Sequence, residues 1–155
     1  ILLPDVPVRE SQPFTEAATA AGVDPIYIAP AKASRETLEG VAANSRGYIY
    51  AISRDGVTGA EKEATVDGLR EVVDNINSFG GAPVMLGFGI SRPEHVRDAI
   101  AAGASGAITG SAISNIIAKY TEHTHPNPAC ITDMEALKAE LGSYVRSMKQ
   151  ATIKA

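Results

Sequence analysis

A single cysteine, Cys130, stands in the whole chain, so no disulfide can form within it, and a reducing cytoplasm suits such a sequence. Basic runs are lacking as well. Aspartate and glutamate total 18 against 14 lysines and arginines, a net charge of −4. That balance, without a cationic cluster, argues against nucleic acid and against an anionic membrane surface as partners. Long apolar runs are also missing. The one extended uncharged window, 99–118, is broken by glycines, serines, Thr109 and Asn115, which excludes a membrane span. The opening "ILLPDVP" carries no methionine and already reads as strand, so the chain is expected to be a portion of a longer protein.

What is present is a soluble globular composition: 155 residues, 45% hydrophobic and 21% charged. One unit recurs. Short runs rich in β-branched residues, "ILL", "PIYIA", "GYIYAI", "PVMLGFG" and "GAITG", alternate with helical patterns. Ser11 and Pro13 start a helix with Phe14, Ala17, Ala18 and Ala21 on one face, stopped by Gly22. Ser34 caps the next, with Leu38, Val41 and Ala42 inward. A third turns Val66, Leu69, Val72, Val73, Ile76 and Phe79 to one side and ends at Gly80-Gly81. A fourth is predicted to start from a Ser91–Glu94 capping box, carries Val96, Ala99 and Ile100, and stops at Gly103. After "AISNIIAKY", a last helix starts from a Thr132–Glu135 box and buries Leu137, Leu141, Tyr144, Val145 and Met148. Near-continuous apolar strands alternating with helices predict one α/β domain over 1–155, a parallel sheet of about five strands flanked by helices.

The stretch "GFGISRPEHV" raises the functional question. Glycine at a strand end, with a helix N-terminus following, is where an anion can approach backbone amides. For one loop alone, a tight turn that merely needs glycine explains as much. Two further loops, "SRDGVTGAE" and "TGSAIS", repeat the pattern and favour a phosphate cradle. A dinucleotide fingerprint fails, because Arg92 stands where the third glycine belongs. A (β/α)₈ barrel takes ~250 residues and often builds a phosphate site from its last two strand-to-helix loops. The architecture expected is therefore a partial (β/α)₈ TIM barrel. No metal is expected: His123, His125 and Cys130 in "HTHPNPAC" match no zinc spacing and read as a solvated loop. His95, in the first turn of a helix, is expected to be exposed, and Glu61 and Glu63 read as solvated charge at a helix start.

The segments "LLPDVP", "GYIYAISRDGVTGAE", "LGFGIS" and "AITGSAI", in this order and spacing, resemble the α subunit of tryptophan synthase over the whole chain. The resemblance corresponds to strands four to eight of that family's barrel. It implies a lyase of tryptophan biosynthesis that splits indole-3-glycerol phosphate into indole and glyceraldehyde 3-phosphate. It also implies a β-subunit partner that uses pyridoxal phosphate, with no cofactor in this chain. Carried over by residue, it assigns phosphate binding to Gly59, Gly89, Gly110 and Ser111, mostly through backbone amides. Phe88 would line the indole pocket, Tyr50 would stand beside the reacting centre, and Thr58 would lie in a loop that closes over substrate. Asp5, after the first strand, would face the same mouth. Ordinary core packing is the competing account of Phe88 and Tyr50. The family's two catalytic carboxylates belong to strand two and just after it, and no Asp or Glu here maps onto either. By itself the chain is expected to grip substrate without cleaving it.

Two alternatives remain: a phosphosugar isomerase or epimerase, or a non-catalytic half-barrel that associates with itself. Unpaired edges at "ILL" and "GAITG", and inward faces of Ile26, Ile28, Tyr48, Tyr50 and Met85, predict a dimer or higher oligomer. Its contact is expected at "ILLPD" or "AITGS".

Overall fold

The computed structural model describes residues 1–52, 66, 68–122 and 129–153. Its centre is a parallel sheet of β1 (Ile28–Pro30), β2 (Ile49–Ile52), β3 (Val84–Leu86) and β4 (Gly106–Ala107), paired in that order. Helices lie before, between and after the strands: α1 (Gln12–Ala20), α2 (Arg35–Asn44), α3 (Leu69–Ser78), α4 (Pro93–Ala101), α5 (Ser111–Lys119) and α6 (Met134–Gln150). A short 3₁₀ turn, Val8–Glu10, precedes α1. Every neighbouring pair in the sheet is parallel, which each helical crossover permits.

Register sorts the strand residues into two rows. Ile28, Tyr50, Met85 and Gly106 stand side by side, and Ala29, Ala51, Leu86 and Ala107 form the next row. Side chains alternate between faces. The second row and its equivalents Tyr27, Ile49 and Val84 join Leu38, Val41, Leu69, Val72, Val73, Ile76, Val96 and Ala99 in one core between sheet and helices. The other face, carrying Ile26, Ile28, Tyr48, Tyr50 and Met85, is only half-buried. This agrees with the inward set expected from a partial barrel.

The sheet has four strands, where about five were expected. The "ILL" run forms a single parallel bridge, Leu2 to Ile26. Ile26 N–H donates to Ile1 O and accepts, through its carbonyl, from Leu3 N–H. The Ile1 amine adds one more bond beside it, donating to Asp24 O at 2.6 Å. A two-stranded antiparallel ribbon, β5 (Thr121–Glu122) with β6 (Cys130–Ile131), occupies the edges of the segment read as a solvated loop. Cys130 is an exposed free thiol there, while His123 and His125 lie outside the described residues, as do Glu61 and Glu63.

Helix starts were partly misread. Ser34 caps α2 as expected, accepting from Thr37 N–H. Ser91 does not cap α4. The N-cap is Arg92, Pro93 opens the helix, and no side chain caps it from that position. The α6 cap is Asp133, which accepts from Ala136 N–H at 2.9 Å, while Thr132 turns its hydroxyl back to Tyr120 O. Two apolar faces were overextended as well. Of the α1 set only Ala18 is buried, and Phe14 is 47% exposed. Val145 on α6 is exposed, because that helix packs on α4 and α5 through Leu137, Leu141, Tyr144 and Met148.

Candidate functional site

The cavity of interest opens where β2, β3 and β4 end, about 170 Å³ in volume. It is lined by Tyr50, Gly87, Phe88, Gly89, Ile90, Ser91, Ile108, Gly110, Ser111 and Ala112. Five of the residues expected from the sequence, Tyr50, Phe88, Gly89, Gly110 and Ser111, thus meet in one place. Thr58 and Gly59 lie outside the described residues. Asp5 is not brought to this cavity. It is exposed and borders a separate, larger hollow with Pro4, Val8, Ile28, Pro30 and Ile52.

Local chemistry explains the shape. Gly89 has φ 73°, the left-handed region that a side chain disfavours, and this turns the chain from β3 towards α4. Gly87 makes room for the Tyr50 ring, since a Cβ there would collide with it. The Tyr50 hydroxyl donates to Gly87 O, pinning the ring across the strand end. Burial, and secondarily the neighbouring Tyr48, push the Tyr50 phenol above its ordinary pKa, so it stays a protonated donor at neutral pH. Phe88 is 9% exposed, yet it stands outside the main core cluster and lines the cavity wall.

On the opposite side, Gly110 is the N-cap of α5, and no side chain caps that helix. Its first-turn N–H groups therefore keep no intrahelical or capping partner and carry the positive end of the helix dipole. A Cβ added at Gly110 would meet no heavy atom within 4 Å. Among the described residues the lining includes no lysine, arginine or carboxylate. Its donors to a ligand are backbone amides and the hydroxyls of Ser91 and Ser111, a set suited to an anion beside an apolar wall, while the Tyr50 hydroxyl gives its hydrogen to Gly87 O.

Three residues beside the cavity escaped sequence reasoning. His95, expected exposed, is 5% exposed and accepts from Ser91 N–H through Nδ1. The ring folds back over the first turn of α4 to reach the residue before its N-cap. Arg92 Nη2 lies 3.2 Å from its Nε2. Thr109 and Tyr144, read simply as strand and core, bond to each other, and Thr109 donates to Ile90 O. Among the described residues no group of three or more His, Cys, Asp or Glu could hold a metal ion, and no helix is long and apolar enough to cross a membrane.

Comparison with known proteins places this geometry. The family model described as tryptophan synthase alpha chain matches residues 1–151. The tryptophan synthase alpha chain of Corynebacterium glutamicum is 68% identical over 154 residues, covering 99% of this chain and 55% of the relative. That of Shewanella baltica is 47% identical over 152 residues, covering 98% and 52%. Among solved structures, a Mycobacterium tuberculosis tryptophan synthase superposes with TM-score 0.74 at 25% identity, covering 99% of this chain and 51% of that one. The Pyrococcus furiosus tryptophan synthase a2b2 complex gives TM-score 0.73 at 26% identity, covering 97% and 55%. The chain thus spans about half the length of the curated relatives it matches, and its four-stranded sheet with flanking helices corresponds to about half of their barrel. On the match over residues 1–151, with the cavity at the strand ends, the chain belongs to the tryptophan synthase alpha chain family.

Proposed function

We propose that this chain supplies the phosphate- and indole-binding half of a lyase that cleaves indole-3-glycerol phosphate to indole and glyceraldehyde 3-phosphate in tryptophan biosynthesis. The observation that carries the reading is the convergence of Gly89, Gly110 and Ser111 with Phe88 and Tyr50 on one cavity. Amides at the uncapped start of α5 suit a phosphate dianion without help from a basic side chain. The aromatic wall of Phe88 suits a planar indole ring. Tyr50, kept protonated, has its hydrogen directed to Gly87 O and offers substrate a rigid ring edge and oxygen lone pairs. Gly59 and Thr58 would complete the cradle from the loop after β2. Asp5 serves the mouth of the barrel from outside the cavity.

Acid–base groups each contribute roughly 10²–10⁴-fold to such a reaction. The family's carboxylate pair has no counterpart among these 155 residues, so the chain alone binds substrate and turnover needs the first strands of the barrel. A β subunit is the partner proposed for the complete enzyme, in keeping with the a2b2 assembly of the P. furiosus protein. Pyridoxal phosphate belongs to that partner, this chain needs no cofactor, and the site of action is the cytoplasm. The half-buried inner sheet face and the open edges at Leu2 and β4 favour association of the chain with a second copy when no other strands cover them.

Titration of the ¹⁵N-labelled chain with inorganic phosphate, then with indole-3-glycerol phosphate, tests the reading. The Gly89, Gly110 and Ser111 amides are expected to move with both ligands, and the Phe88 ring resonances with the second alone. Shifts confined to residues 123–130 would refute it. Cleavage by the chain alone at the rate of a full-length relative would refute the division of labour. Sedimentation equilibrium at micromolar concentration tests the self-association, which a cooperatively unfolding monomer would overturn.

A further inference from the structure

One peptide group beside the cavity is held at both ends by side chains from other parts of the fold. The carbonyl of Ile90 accepts from Thr109 Oγ1 at 2.9 Å. The N–H of Ser91, in the same rigid plane, donates to His95 Nδ1 at 3.3 Å. Behind Thr109, the Tyr144 hydroxyl lies 2.7 Å from Oγ1.

Hydrogen counting fixes the directions. A hydroxyl carries one hydrogen, and Thr109 directs its own to Ile90, so Tyr144 must be the donor in the second bond. The relay runs from Tyr144 through Thr109 to the Ile90 carbonyl. A backbone N–H can only donate, so His95 Nδ1 is an acceptor without hydrogen, the ring hydrogen sits on Nε2, and the Arg92 guanidinium 3.2 Å away does not donate to that atom.

The clamped plane follows Gly89 almost directly, and Gly89 sits at φ 73° with no side chain to restrict it. A glycine of that kind is the freest joint in a loop. What lies after it decides how its amide groups are aimed. Ile90 is 4% exposed and His95 5%, while Ser91, Thr109 and Tyr144 are half-buried, so these bonds are partly sheltered from water.

We propose that Thr109, Tyr144 and His95 clamp the Ile90–Ser91 peptide and thereby hold the Gly89 loop in its anion-binding orientation, acting as positioning residues for a phosphate they do not touch. The proposal rests on the reading of the cavity as a phosphate site. It adds that the last helix, α6, helps set the affinity through a single hydroxyl.

Calorimetric titration with inorganic phosphate, combined with amide exchange followed by NMR, tests it on the chain and five variants. Thr109→Val, nearly the same shape without the hydroxyl, is expected to weaken phosphate by about five- to ten-fold and to speed Ser91 amide exchange by a similar factor. Thr109→Ser should bind like the parent chain. Tyr144→Phe should move both readouts in the direction of Thr109→Val by a smaller factor. His95→Gln keeps an acceptor and should stay near the parent, whereas His95→Leu should not. A parent chain that binds no phosphate overturns the cavity reading and the clamp with it. A parent that binds, with Thr109→Val and Tyr144→Phe equal to it in both readouts, overturns the clamp alone. Equal losses in Thr109→Ser and Thr109→Val also overturn it, because packing rather than the hydroxyl would then be responsible.

Discussion

Replacing Gly110 by alanine separates room needed by the protein from room needed by a ligand. A Cβ at this position meets no heavy atom within 4 Å, and the residue has φ −130°, outside the left-handed region. The folded chain should therefore tolerate Gly110→Ala with a stability change within about 0.5 kcal/mol. A bound anion should not tolerate it. An amide holds an oxygen at about 2.9 Å between heavy atoms, whereas a methyl carbon keeps its neighbours near 3.5–4 Å. The methyl would displace the anion from the Gly110–Ser111 amides and cost one charge-assisted hydrogen bond, about 1.5–3 kcal/mol. At 1.4 kcal/mol per decade, that is roughly a 10- to 100-fold loss of phosphate affinity. Gly110→Val should lose more. Calorimetric titration and thermal melts on the same samples provide both numbers. An unchanged Tm with unchanged affinity would mean that the anion does not sit on Gly110. A large fall in Tm would mean that the space beside it is not open.

Gly87→Ala is the opposite case: its Cβ would run into the Tyr50 ring, and denaturant unfolding should report a loss of about 1–3 kcal/mol, a neutral result refuting the packing described. Tyr27→Phe removes a buried hydroxyl shared by Ser11 O and Thr15 Oγ1, at 3.2 and 2.9 Å, and should cost about 1–3 kcal/mol by the same assay. Glu140→Gln tests a pH dependence. Hydrogen bonds from Lys119, first, and Tyr120 hold the Glu140 carboxyl below its ordinary value of 4.5, so its contribution is present above that value and is lost as pH falls through the folded-state pKa. The gap in Tm between the parent and Glu140→Gln should close on acidification from pH 7, and a gap that widened would contradict the assignment.

The sheet and its helices were legible because their signals are local and periodic. Leu38, Val41 and Ala42 fell on the buried face of α2, as did Leu69, Val72, Val73 and Ile76 on α3. Ser34 was legible for the same reason, since a cap three residues from its donor needs nothing from the rest of the fold. The errors arose where distant chemistry decides. Ser91 looked like a cap, but the helix starts one residue later, from Arg92, and His95 folds back to hold the Ser91 N–H, a choice that depends on the space beside α4. Phe14 and Val145 have the right spacing to be inward, but periodicity names a face without saying that another element covers it. Glycines at strand ends marked the cavity correctly. Thr109 and Tyr144 did not stand out, because their partnership spans 35 positions and neither residue type is unusual where it sits. Asp5 was read from position in the chain alone, which fixed its strand end but not which hollow its side chain borders.

The two rows of strand residues bear on how such a chain is made. Each strand pairs with the one synthesised just before it, and the sealed layer lies between sheet and helices, where Tyr27, Ala29, Ile49, Ala51, Val84 and Leu86 meet α2, α3 and α4. A core assembled from consecutive neighbours needs no contact between distant ends of the polypeptide, so each pairing closes only one helical crossover. The half-buried row of Ile28, Tyr50 and Met85 depends on whatever faces it across the barrel and can be completed last. Growth on the ribosome would then proceed by accretion. Each βα unit emerges to find the flank of its predecessor already in place, and the cavity takes shape only when β4 and the start of α5 arrive beside β3.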